Sequence, residues 1–194
     1  MQNAPQPSLL LLSETQAPPL IAILFWQGAP MSSSPPPWFR DFVAGFADFC
    51  QDAIETFIAA GIPQALDLRA NGQRWEAEII LVNDADMAEL NEQYRQKTGA
   101  TDVLTFSLFA ESPQRAQWAR LPTAQLGSVF LSWEWALAHV DEEPAHRGDA
   151  ARFLRERLAH GLLHLLGRHH DSEDAYQQVV SLQNQALAQH DARR

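Results

Sequence analysis

Four of the chain's seven histidines fall within one short stretch, His160-Gly161-Leu162-Leu163-His164-Leu165-Leu166-Gly167-Arg168-His169-His170-Asp171. A helix from Arg152 to Leu166 puts His160 and His164 one turn apart on the same face. Imidazoles at that spacing reach a single ion. Gly167 accepts the left-handed conformation that ends a helix without a Cβ penalty, so the chain turns back there. The turn delivers a third imidazole, His169 or His170. Three neutral nitrogens around Zn2+ leave the fourth tetrahedral position for water, the arrangement of catalytic zinc. A closed structural zinc commonly takes cysteine, and the single cysteine, Cys50, lies in a distant apolar helical pattern. The stretch reads as a metal site for chemistry.

The spacing His-x3-His-x2-Gly-x2-His is also that of the metzincin proteases. Those enzymes carry a general-base Glu where this chain has Gly161, which neither takes nor gives a proton. A closer match lies elsewhere. His160, Gly161, Leu163, His164, Leu165, Gly167 and His170 fit, position by position, the H-G-x-L-H-L-x-G-x-D-H signature of the YbeY family, which the stretch resembles. His169 stands where that family has Asp, and Asp171 follows two residues on. A second segment, Leu90 to Phe106, is similar to the family's LNxxYRxxxxxTDVLSFP through Leu90, Asn91, Tyr94, Arg95, Thr101, Asp102, Val103, Leu104 and Phe106. Leu126 to Ser132 resembles its LGDIxIS strand, with Ser128 in place of the acid.

The resemblance covers about Glu76 to Asp171 and implies a metal-dependent, single-strand-specific endoribonuclease. Its setting would be rRNA maturation (16S rRNA 3′ end processing) and ribosome quality control. The implied ligands of one zinc ion are His160, His164 and His170, His170 matching the family ligand and lying three residues beyond the helix-ending glycine. Arg95 becomes the catalytic residue, placed by the family in the active-site cleft. A guanidinium is always charged and forks onto phosphate oxygens, where it offsets charge developing in the transition state. On its own, Arg95 reads as a solvated arginine near a helix C-terminus. Asp102 is read as a turn residue at a strand entry. The competing functions are a zinc metalloprotease and a non-catalytic, zinc-stabilised ribosome-binding protein. Implied partners are a single-stranded rRNA precursor and the ribosome or its proteins, with no membrane and no DNA.

The elements that must position these residues are mixed in kind. A net charge of −10 argues against a non-specific nucleic-acid coat. Any RNA path therefore needs a confined basic surface, for which Arg152, Arg155, Arg157 and Arg168 are the candidates. Arg168, in the turn beside the metal, is expected to reach substrate. One cysteine excludes an internal disulfide framework and suits a reducing compartment, hence a cytoplasmic expectation. Residues 1–37 hold eight of the twelve prolines and read as a tail and linker, with an edge strand at Leu20–Trp26. Neither apolar run there approaches the roughly twenty residues that span a bilayer. No Lys or Arg precedes Arg40, so a secretory n-region is missing.

The rest, 38–194, is expected to be one metal-dependent catalytic domain. Trp38–Ala60 is a helix with an apolar stripe, Glu76–Asn83 a buried strand, and Asp86 with Glu89 a capping pair for a helix through Tyr94. Strands at Asp102–Phe106 and Gly127–Leu131 form a hairpin-like pair. Ser132 caps a short helix through Val140, and Ser172 caps a last one through about Ala188. The fold class is α+β: a small mixed β-sheet packed with about five helices, one of them a metalloprotease-like zinc helix.

Overall fold

Side-chain alternation at a period of two decides which face of each strand is buried. In β3 (Arg74–Val82), Trp75, Ala77, Ile79 and Leu81 point inward and are fully covered. Glu76, Glu78, Ile80 and Val82 take the opposite face. The computed structural model describes residues 9–14, 20–27, 35–63, 65, 74–108 and 123–193. Its other strands are β1 (Leu9–Glu14), β2 (Leu20–Gln27), β4 (Val103–Ser107) and β5 (Thr123–Ser132). They form one sheet in the order β1-β2-β3-β5-β4. The β2–β3 and β3–β5 pairs are parallel, while β1–β2 and β4–β5 are antiparallel. The sheet is therefore mixed, with β4 at one end.

Helix α1 (Pro37–Ala59) buries Phe39, Phe42, Phe46, Phe49, Ile54 and Phe57 along one stripe. Pro37 in its first turn forfeits no hydrogen bond, because that N–H has no partner within a helix. Helices α2 (Asp84–Arg95) and α3 (Trp133–His139) follow β3 and β5, and α4 (Ala150–Leu165) and α5 (Glu173–Arg193) close the described chain. Helices α1, α4 and α5 pack together, α1 against β2 and α4 against β4 and β5. They share one core with the inward side chains of β2, β3 and β5. On the other face α2 covers a smaller cluster of Ile80, Val82, Met87 and Leu104. The α+β class, the mixed sheet and five α-helices among the described residues agree with the expectation.

Four local expectations need correction. Leu20–Trp26 was expected at an edge, yet β2 is second in the sheet, with β1 on its outer side. The reason is burial: Leu20, Ala22, Leu24 and Trp26 enter the core, and buried backbone groups require partners on both sides. Leu9–Glu14 supplies those partners, so this part of the expected tail is a strand. The remainder of Met1–Pro19 and the linker up to residue 34 lie outside the described residues. The cap of α2 also differs, being Asn83, whose side-chain oxygen accepts from Asp86 N at 2.7 Å. The last helix runs on to Arg193, because Ala186, Leu187 and His190 extend its buried stripe.

Candidate metal centre

Helix α4 is fixed at both ends by local chemistry. Asp149 caps its start, accepting from Arg152 N at 2.8 Å. At its end Gly167 takes φ +76°. Gly167 N then donates to His164 O and Arg168 N to Leu163 O, each at 2.9 Å. This is the Schellman pattern, and it folds the chain back so that residues 168–170 pass beside the last helical turn.

The turn brings three imidazoles together. One ring nitrogen each from His160, His164 and His170 lies within 4.8 Å of the others, a group able to hold one metal ion. His160 Nε2 faces His164 Nε2 at 2.8 Å, and the His170 ring centroid is 5.2 Å and 5.1 Å from theirs. Burial, followed by the neighbouring His160, His169, His170 and Arg95, pushes the His164 pKa down to about 3. His160 is lowered too, mainly by burial. Both rings are thus neutral at physiological pH, as metal ligation requires. A set of three imidazoles suits zinc. A second group, Glu143, His146 and Glu156, has donor atoms equally close. There Arg157 pairs with both carboxylates and Arg152 contacts His146 Nδ1, so cations already fill the place an ion would take.

The histidines open onto a cleft of about 490 Å³ whose far wall is Thr101 to Thr105 and Arg95. Arg95 is the last residue of α2, beyond which Gln96 is left-handed at φ +56°. Asn91 stays buried and donates to Gly99 O at 2.8 Å, which ties the following loop to the helix. Asp102 does more than turn the chain into β4. Its Oδ1 accepts from Val103 N at 2.9 Å, and its Oδ2 pairs with Arg157 Nε at 2.7 Å. Arg157 also lines the cleft, but Asp102, Glu143 and Glu156 all neutralise it. Among the described residues, Arg95 is the one cleft cation with no carboxylate partner.

The other arginines face elsewhere. Arg155 is a buried staple to α1, donating to Asp41 O and Oδ2 at 2.7 and 2.9 Å. Arg152 pairs with Asp191 at 3.3 Å. Arg168, expected to reach substrate, instead donates to Gln178 Oε1 at 2.7 Å and does not line the cleft.

The family model described as Endoribonuclease YbeY matches residues 47–191. The chain belongs to the YbeY family. A curated Endoribonuclease YbeY from Synechococcus sp. (strain CC9605) is 36% identical over 109 residues, 56% of this chain and 62% of that protein. One from Acidothermus cellulolyticus is 35% identical over 116 residues, 58% and 68% of the two chains. One from Nautilia profundicola is 37% identical over 99 residues, 51% and 62%. The chain spans about three fifths of the length of the curated relatives it matches.

Within this YbeY-family chain, Gly161 has a steric cause. A Cβ there would lie 2.5 Å from Val129 Cγ1 on β5 and 3.3 Å from Thr105 Oγ1 on β4. The helix sits so close to the sheet that no protease-type glutamate fits. His169, which stands at the family's Asp, places Nδ1 3.2 Å from His164 Nδ1. Arg157, a sequence candidate for the RNA path, is instead paired with Asp102, Glu143 and Glu156. One participant escaped the sequence reading. Gln183, on α5, lies 3.4 Å from His160 Nδ1 through Oε1, and its signal was a polar residue within the buried stripe Val179, Leu182, Ala186, Leu187.

Proposed function

We propose that this chain is a metal-dependent endoribonuclease cutting single-stranded RNA, with His160, His164 and His170 holding one zinc ion and Arg95 as the catalytic residue. The observation that carries this reading is the meeting, in one cleft, of three imidazoles and an arginine with no carboxylate partner among the described residues. A phosphodiester is an anion, and in a chain of net charge −10 an uncompensated guanidinium marks where one can sit. A zinc ion in the site supplies Lewis acidity and lowers the pKa of water to about 7, a role that needs no glutamate at position 161. Arg95 holds the scissile phosphate by its fork and offsets charge on the non-bridging oxygens. Arg157, already neutralised, positions Asp102 and with it the strand that walls the cleft.

The family supports RNA as substrate, and we extend the reading to rRNA maturation and ribosome quality control, with ribosomal partners, in the cytoplasm. Residues 38–194 hold every site residue named. Among the described residues no helix is long and apolar enough to cross a membrane. The test is cleavage of a single-stranded RNA beside an unfolded protein substrate, each with and without a chelator. RNA alone should be cut, cleavage should stop on chelation, and His164→Ala should abolish it. Proteolysis, or RNA cleavage indifferent to His164, would sink the reading.

A further inference from the structure

We propose that Gln183 is a positioning residue of the metal centre: its amide, itself oriented by Glu156, holds His160 in the tautomer whose bare Nε2, turned toward His164, would be free to ligate an ion. The inference rests on the metal-centre reading above. Gln183 is 2% exposed and sits in the otherwise apolar stripe of α5. A buried amide in a core stripe breaks the binary pattern, which asks for a compensating role.

The hydrogen-bond inventory supplies one. An ionised carboxylate only accepts. Burial favours the neutral form of Glu156, but His146, Arg157 and Arg152 outweigh it and keep the carboxyl below its ordinary range. Oε1 of Glu156 receives Arg157 NH1 at 3.1 Å and Gln183 Nε2 at 3.4 Å, while Oε2 faces His146. The amide NH2 of Gln183 must therefore point at Glu156, which turns its Oε1 to His160 Nδ1, 3.4 Å away. An amide oxygen also only accepts, so Nδ1 has to carry the proton. A neutral imidazole has one N–H, and Nε2 is left with a free lone pair. That nitrogen is the one 2.8 Å from His164 Nε2. The order runs from the ion-paired Glu156 through Gln183 to the ligand, as outer partners set the tautomer of metal-binding histidines.

Two measurements test this. Long-range 1H–15N correlation on the imidazoles of the metal-free protein reads the His160 tautomer, and competition with a chelator reads zinc affinity. The wild type should carry the proton on Nδ1. Gln183→Leu should bind zinc roughly 10–100-fold more weakly, with His160 mixed between tautomers and the metal-free melting temperature little changed. Gln183→Met, closer in length and shape, should behave alike if the leucine variant fails to fold. Gln183→Glu, which keeps an acceptor toward Nδ1, should recover the tautomer. A wild-type His160 protonated on Nε2, or a Gln183→Leu protein with undiminished zinc affinity, overturns the inference while leaving the metal centre standing. A wild type that takes up no zinc overturns the metal centre, and the inference with it.

Discussion

Replacing Gly161 with alanine adds a single methyl at the closest approach of α4 to the sheet. That carbon would sit 2.5 Å from Val129 Cγ1, 3.0 Å from Cγ2 and 3.3 Å from Thr105 Oγ1. Ordinary carbon contacts are about 3.5–4.0 Å, so roughly 1 Å of movement is required. Val129 cannot readily give way. It is fully buried on β5, between β3 and β4, and its branched Cβ restricts χ1. Two effects oppose each other. Alanine favours the helix over glycine by about 1 kcal/mol, whereas overpacking a tight core costs about 1–3 kcal/mol. With an immobile neighbour the upper part of that range applies, leaving a net loss of about 1–2 kcal/mol. Urea unfolding of the metal-free protein measures it. Val129→Ala should be destabilising alone, yet the double variant should lose less than the sum by about 1 kcal/mol, because the methyl then has room. Cleavage should fall more than zinc affinity, since the histidines move with α4 while Arg95 and Thr101–Thr105 stay with the other wall. A Gly161→Ala protein as stable as the wild type, or strictly additive costs, would show that the helix does not need glycine here. It would also restore room for a protease-type glutamate.

Arg95→Ala should lower single-turnover RNA cleavage by roughly 10²–10³-fold, the usual effect of removing one transition-state donor, while zinc content stays whole. Arg95→Lys should recover little, and wild-type rates in either would return Arg95 to a solvated helix end. In salt titrations of RNA binding, Arg95→Ala should reduce the log–log slope by about 0.7, whereas Arg168→Ala, held to Gln178, should leave it unchanged. Zinc should be lost in His170→Ala and retained in His169→Ala, though more weakly bound, since His169 reaches His164 through Nδ1 and is not one of the three grouped imidazoles. Acidification supplies a further check on the metal-free protein. The His164 pKa, depressed from 6.5 to about 3, means that the unfolded chain binds more protons than the folded one between those values. Stability should be undiminished above about pH 6.5 and fall as pH drops toward 3, and His164→Asn should flatten that fall. A metal-free wild type equally stable at pH 7 and pH 4.5 would contradict the buried, neutral histidine.

The helix that carries His160 and His164 and the turn that follows it were legible in the sequence because their determinants are local. The i, i+4 spacing sets a shared helix face, and a left-handed residue after the last turn calls for glycine. The stripes of α1 and α5 and the cap at Ser132 were legible for the same reason. What the tertiary structure decided is non-local and has no periodic signature. The strand Leu9–Glu14 lacks a clear alternation and forms because β2 needs a partner on its outer side. Arg155, Arg157 and Arg168 look alike in the sequence, yet one is buried against Asp41, one is neutralised by three carboxylates, and one is turned to Gln178. Arg95 differs from them in that no carboxylate among the described residues folds back onto it. Gln183 meets His160 across 23 positions of sequence. Gly161 looked like a lost general base until packing showed that nothing larger than hydrogen fits between α4 and Val129. Charge pairing and close approach depend on which distant residues share a place in space, and that was settled only when α4 and α5 were laid across the sheet.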